Sequence, residues 1–179
     1  MTTSSIILRQ FALTLFLGVL VSAGCSKPAA EPSWVSFSTP AGMFSAMMPS
    51  KPDEVVNKTP TGEEAHTFSI VSALSNLKAI SVSYVERPTA VQGGADKLLD
   101  LARDTAAANL DGRVLSEKPI TLGSFPGREI KLALPKGNVV KERIFLAHNR
   151  QYTAMVITAP ANANAPEVSR FFDSFKIEP

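Results

Sequence analysis

From Val114 to Thr158 the sequence repeats with a period of two, and turn residues interrupt it at short intervals. Ile120 and Leu122 lead into Gly123-Ser124. Ile130, Leu132 and Leu134 alternate with Glu129, Lys131 and Ala133 before Pro135-Lys136-Gly137-Asn138. Val139 to His148 runs back, and His148-Asn149-Arg150 turns into Tyr152 to Thr158. Successive side chains of a strand face opposite sides, so this pattern demands an antiparallel meander with a buried face. Phe125-Pro126-Gly127 reads as an irregular corner within it. Tyr152 to Ile157 is apolar on both faces, which predicts a central strand.

The flanking segments add further strands and two helices. Trp34 to Phe37 reads as a short strand closed by Thr39-Pro40-Ala41-Gly42, and Met43 to Met48 as a second apolar run stopped by Pro49 and Pro52. After the turn signal Thr59-Pro60-Thr61-Gly62, His66, Phe68 and Ile70 alternate with polar neighbours. Ser75-Asn76 turns the chain, and Ile80, Val82 and Tyr84 continue the alternation, as in a hairpin. From Gly94 to Leu110 the period changes. Ala95, Leu98, Leu99, Ala102, Ala106 and Leu110 recur at three and four, opposite Asp96, Lys97, Asp100, Arg103 and Asp104, which predicts an amphipathic helix. Near the C-terminus, Asn164 is placed to cap, Pro166 to occupy the first turn and Glu167 to close a capping box. Val168, Phe171, Phe172 and Phe175 then share one helix face. Their burial is worth roughly 6–10 kcal/mol of gross transfer free energy, so this helix should be docked. Two short strands, a hairpin, a helix, a meander and a helix make an α+β order, with an antiparallel sheet flanked by helices.

Composition excludes several functions. The 179 residues include one Cys and two His, which rules out an internal disulfide framework and leaves little for a zinc site or a His-based triad. His66, near Glu63 and Glu64, reads as a partly buried or edge strand residue. His148 reads as a solvated turn residue. Asp96, Asp100 and Asp104 could bind calcium, but alongside Lys97 and Arg103 they read as a solvated face with local ion pairs. There is no G-x-S-x-G, no G-x-G-x-x-G and no P-loop. The expectation is a non-enzymatic protein without cofactor or metal. The net charge of only +2 excludes nucleic-acid binding by charge.

The single thiol sets the address. Residues 1–24 carry a short n-region charged at Arg9, an apolar core from Phe11 to Val21 broken only by Thr14 and Gly18, and the small residues Ser22, Ala23 and Gly24. That is the layout of an export signal, too short to span about 30 Å of hydrocarbon. Val21-Ser22-Ala23-Gly24-Cys25 resembles the bacterial lipobox, with Ser22 where Leu is usual. The resemblance implies that Cys25 receives a diacylglyceryl group and becomes the mature N-terminus, its two acyl chains giving a stable membrane anchor. Residues 25–33 then form the lipidated cysteine and an extended tether rich in Pro and Ala, and residues 34–179 a single globular domain. Ser26 after the cysteine resembles lipoproteins sent to the outer membrane. The expected location is the bacterial cell envelope, on the periplasmic side of the outer membrane if the host has two membranes.

The domain also resembles a family. Phe37-Ser38-Thr39-Pro40-Ala41-Gly42-Met43-Phe44-Ser45, followed by Met48-Pro49-Ser50-Lys51-Pro52, is similar to the opening of small exported bacterial domains with a PsbP-like fold, many of them lipoproteins. Arg128-Glu129, Asn149-Arg150-Gln151-Tyr152 and Phe171-Phe172-Asp173-Ser174-Phe175 extend the similarity over about residues 34 to 177. The resemblance implies an α/β/α sandwich around an antiparallel sheet, in proteins that bind or assist other proteins, and brings no catalytic residues with it.

Charge is unevenly distributed. Residues 118–150 hold seven basic residues against Glu129 and Glu142 alone. Lys131, Lys141 and Arg143, on neighbouring strands, are the candidate surface for an anionic partner such as an envelope protein or an anionic envelope polymer. The expected function is a membrane-anchored accessory or binding lipoprotein. The alternatives are a carrier of a small apolar ligand or lipid, with Met43, Met47 and Met48 lining its cleft, and an unrecognised hydrolase. Cys25→Ser is expected to abolish labelled-palmitate incorporation and detergent-phase partitioning, and unchanged labelling would end the lipoprotein reading.

Overall fold

The computed structural model describes residues 33–59, 62–71, 77–86 and 94–179. Cys25, the signal segment, most of the tether and the turn at Ser75-Asn76 lie outside them. Within them are ten strands: β1 (Val35–Thr39), β2 (Phe44–Met48), β3 (Asp53–Lys58), β4 (Glu64–Val71), β5 (Leu77–Glu86), β6 (Arg113–Leu122), β7 (Phe125–Ala133), β8 (Val139–Ala147), β9 (Arg150–Thr158) and β10 (Lys176–Ile177). The two α-helices are α1 (Gly94–Asn109) and α2 (Pro166–Ser174).

The strands form two antiparallel sheets. The larger has the order β3-β4-β5-β9-β8-β7-β6, and the smaller the order β1-β2-β10. β9, the strand expected at the centre, is the fourth of seven, and its Tyr152, Ala154 and Val156 are fully buried. The smaller sheet and α2 cover one face of the larger, where Phe44, Ala46, Met48, Val168, Phe171, Phe172 and Phe175 join Ile80, Val82, Tyr84, Phe145 and Tyr152 in one core. On the other face α1 lies over β7 and β8, burying Leu99 and Ala102 against Ile130, Leu132, Val140 and Ile144. Antiparallel sheets with two helices are thus present, but strand dominates. A second sheet takes much of the surface that a helix–sheet–helix sandwich would give to helices.

One strand carries no signal in the sequence, and two local expectations are corrected. β3 is a full edge strand, although its exposed sequence DEVVNK lacks alternation; an edge strand with little burial on either face has no hydrophobic period to display. Phe125-Pro126-Gly127 is no corner, because all three residues pair with β6. Pro126 is tolerated because pairing with β8 begins only at Gly127. Gly127 is required there, since a Cβ would lie 2.5 Å from the Ile144 carbonyl oxygen and 2.5 Å from the Phe145 ring. Lastly, the capping box does not form. The N-cap of α2 is Ala165, at φ −61° and ψ 150°, with no side-chain cap, and Glu167 Oε2 has no partner. Pro166 forces its predecessor out of the helical region, which moves the boundary one residue past Asn164.

α2 is integral to the fold, as its spacing predicts. Val168, Phe171, Phe172 and Phe175 are each 3% exposed or less. Its end is also zipped to the small sheet: the Met47 amide donates to Ser174 Oγ at 2.8 Å, and Lys176 and Ile177 pair with Ser45 and Phe44. Phe172→Ala is expected to cost roughly 3–5 kcal/mol in chemical denaturation; a loss below about 1 kcal/mol would show the helix to be peripheral.

Candidate functional site

Strand alternation brings Lys131, Lys141 and Arg143 to the face of the large sheet that α2 partly covers. Two cross-strand rows lie side by side. Lys118, Glu129 and Arg143 occupy one, and Ser116, Lys131 and Lys141 the next. The three residues expected together are therefore together, but they are not equivalent. Arg143 is committed to the fold: its Nε donates to Glu129 at 2.8 Å, its Nη1 to Asp173 of α2 at 3.2 Å, and its guanidinium lies 4.9 Å from the centre of the Phe172 ring. Glu129 also receives Lys118 Nζ at 3.0 Å. Burial works to raise the Glu129 carboxyl, but the hydrogen bonds from Arg143 and Lys118 outweigh it and hold the group below its ordinary range.

Lys131 and Lys141 differ from Arg143. They are direct cross-strand partners, and among the described residues neither has a carboxylate within salt-bridge distance. Burial lowers the Lys141 ammonium. Glu129 opposes that shift, while Arg143, Lys118 and Lys131 add to it. A depression of about 210 Å³ lies here, lined by Lys118, Lys131 and Lys141, by the acids Glu117 and Glu129, and by Ser116, Ile130 and Asn164. Beside it a groove of about 300 Å³ is lined by Ile120, Leu122, Arg143, Phe145, Phe172 and Phe175. Sequence reasoning singled out the three cations but missed Lys118, Asn164 and the part played by Glu129, which only the strand register reveals.

The rest of the basic surplus is dispersed. Arg128 points to the opposite face, where Asp100 and Glu117 hold it, the latter at 2.6 Å, with Asp96 at 3.9 Å. Arg103 joins Asp100 at 3.3 Å, Asp104 at 2.8 Å and Glu117 at 2.8 Å. Two guanidinium groups thus fill the carboxylate row that calcium would need, and the helix face read as solvated with local ion pairs is an ion-pair seam between α1 and β6–β7. Among the described residues, no group of three or more His, Cys, Asp or Glu is placed to hold a metal ion. Arg150 lies elsewhere again, 5.0 Å over Tyr84, donating to Glu86 at 2.9 Å and to the Ala41 carbonyl at 2.7 Å.

His66 is partly buried as expected, stacked on Tyr84 at 4.7 Å and 4°. Its partner is Glu54 of β3 at 3.0 Å, with Glu64 only at 4.0 Å. His148 occupies the exposed β8–β9 turn at φ 56°, edge-on to Phe125 at 5.2 Å. Of the methionines expected to line a cleft, Met48 is fully buried in the core and Met43 takes up the turn at φ 51°.

A second polar locus lies beneath α1. Glu142 of β8 is 3% exposed, between Ile130 and Met155 on the neighbouring strands, and its Oε2 has no partner. Burial alone pushes its carboxyl up to about 7 from an ordinary 4.5.

No family model matches the sequence, and no curated protein is similar to it. Among solved structures, the chain is similar to cyanobacterial PsbP (CyanoP) from Synechocystis sp. PCC 6803, at 10% identity and a TM-score of 0.51, over 89% of this chain and 99% of that one. It is also similar to a Pseudomonas aeruginosa protein of unknown function at 11% identity and a TM-score of 0.42, over 76% of this chain and 90% of that one. The first likeness supports a PsbP-like fold.

The Glu142 carboxyl holds its proton more tightly folded than unfolded. Stability from this group is therefore greatest below the unfolded value and falls as pH rises through the folded one. Between about pH 5 and pH 8 the loss should approach about 3 kcal/mol. Glu142→Gln is expected to remove that decline in denaturation curves across this range; a variant declining as steeply as wild type would show that other groups cause it.

Proposed function

We propose that this chain is a lipid-anchored accessory module of the bacterial cell envelope that binds an anionic partner through the cationic shelf around Lys131 and Lys141. The observation that carries the reading is the Lys131–Lys141 rung. Like charges directly opposite one another on a sheet are unfavourable for folding. Here neither lysine has a salt-bridge partner among the described residues, although Glu117 and Glu129 also line the depression they face, while the neighbouring Arg143 is neutralised by Glu129 and Asp173. Carboxylate, phosphate or sulfate groups of a partner would relieve the repulsion. Lipidation at Cys25 and the tether before Trp34 would hold the shelf close to the membrane. Binding is non-enzymatic in this reading, and an envelope protein or an anionic envelope polymer supplies the anion.

A second reading draws on the adjoining groove, where Ile120, Leu122, Phe145, Phe172 and Phe175 offer an apolar surface beside Arg143. A carrier of a small apolar ligand with an acidic head would use both features.

The test is retention of the purified protein on isolated envelope material. Wild type should bind at low salt and elute as salt rises, because exposed charge contacts are screened. Lys131→Glu with Lys141→Glu should weaken retention about tenfold, each reversal contributing about 0.7 kcal/mol at a screened surface. The variant should keep its thermal midpoint, since neither lysine has an ion-pair partner among the described residues and Lys141 Nζ lies 5.9 Å from the centre of the Phe172 ring, at the far limit of a cation–π contact. Equal retention of the two proteins at low salt would reduce the shelf to a solvated face. A stoichiometric apolar molecule in an organic extract of the purified protein would favour the carrier.

A further inference from the structure

Glu142 is a buried carboxyl with space in front of it. Between α1 and strands β8 and β9 lies a pocket of about 160 Å³, with Thr105 and Asn109 of α1 on one side, Gln151 and Thr153 of β9 on the other, and Glu142 and Ile144 at its base. Ala102 and Ala106 are the small residues that leave the space open. A chain closing its core would put apolar side chains here; instead neutral hydrogen-bonding groups surround one acid.

The charged groups nearby are all engaged elsewhere. On α1, Arg103 is turned to Asp100, Asp104 and Glu117. On β7, Arg128 is held by Asp96, Asp100 and Glu117, while β9 contributes Met155, Thr153 and Gln151 on this side. Burial is what raises the Glu142 carboxyl. The last turn of α1, with its partial negative charge, carries no basic residue. The pocket therefore combines a buried carboxyl group with a negative helix end, and no basic residue lines it.

We propose that the pocket beneath α1 is a binding site for a small primary ammonium ion, with Glu142 as its counter-ion. An ammonium group has three donors and no acceptor. One donor would meet the Glu142 carboxylate, and the others oxygens of Thr105, Asn109 or Thr153. A cavity near 150 Å³ takes a six-carbon ring, which sets the ligand at about five or six heavy atoms. Binding requires the ionised carboxylate, so each ammonium bound releases the proton that the empty site holds. Affinity should accordingly rise with pH toward neutrality and level off above it. This site is on the opposite face of the sheet from Lys131 and Lys141, and it stands or falls independently of the shelf.

The experiment is a ¹³C NMR titration of the Glu142 carboxyl in the full-length protein, with and without butylammonium chloride. Tetramethylammonium and sodium chlorides serve as matched controls. At about ten times Kd, butylammonium should lower the apparent pKa of Glu142 by about one unit. Tetramethylammonium, which has no N–H, should leave it in place. Saturable amide shifts at Thr105, Asn109 and Thr153 should accompany binding and vanish in Glu142→Gln. A Glu142 titration unmoved by millimolar butylammonium would overturn the proposal, as would equal shifts with tetramethylammonium. Should Glu142→Gln fail to fold, the wild-type titration decides alone.

Discussion

Phe44 joins the layers of this molecule. It sits on β2 of the small sheet, fully buried, with Phe37 at 6.0 Å, Phe68 at 5.5 Å, Tyr84 and Tyr152 each at 6.5 Å, and Phe175 at 6.0 Å. Those rings come from both sheets and from the end of α2. Tilted and edge-on contacts of this kind add roughly 0.5–1.5 kcal/mol per pair beyond the area they bury. The small sheet has three short strands, and β10 has only two residues. It lacks the size for independent stability, and its pairing is maintained because Phe44, Ala46 and Met48 point into the common core.

The two faces of the large sheet are held by different forces. On the α2 side the covering layer is anchored by aromatic burial. On the α1 side, Leu99 and Ala102 are the only helix residues almost wholly buried, and the Arg103–Asp100–Arg128–Glu117 seam supplies the lateral constraint. Each ion pair is partly exposed and weak alone; sharing carboxylates between two guanidinium groups orders several side chains at once. A helix docked on so little apolar area can leave a polar pocket beneath it, as it does at Glu142. The α2 face, dense with rings, leaves its open surface at the margin, where Lys118, Lys131 and Lys141 meet solvent.

Much of this was legible from periodicity. The meander, the central position of β9, the extent of α1 and the buried face of α2 all follow from where apolar residues recur. What escaped shares a physical cause. β3 has no buried face and so no hydrophobic pattern. Asn164 has the right chemistry for a cap, but Pro166 dictates where the helix begins. Gly127 reads locally as a turn residue, although its task is to let Phe145 cross the strand. The candidate site was half legible: Lys131, Lys141 and Arg143 share a face by parity alone, yet parity does not say which of them has a partner.

The sequence by itself determined the alternation of each strand, hence which side chains share a face, and it set the lipobox resemblance at Cys25. Tertiary structure decided the pairing of charges across strands. Register aligns Arg143 with Glu129 and Lys131 with Lys141, and the docking of α2 places Asp173 beside the first pair, while the second has no salt-bridge partner among the described residues. It also decided the state of Glu142. In sequence this residue is one acid between Lys141 and Arg143 and looks neutralised. In the fold those neighbours face the opposite side of the sheet, so the carboxyl lies beneath α1 with neither cation beside it. Neighbours in a strand are separated by the sheet, while residues far apart in sequence are brought into contact across it.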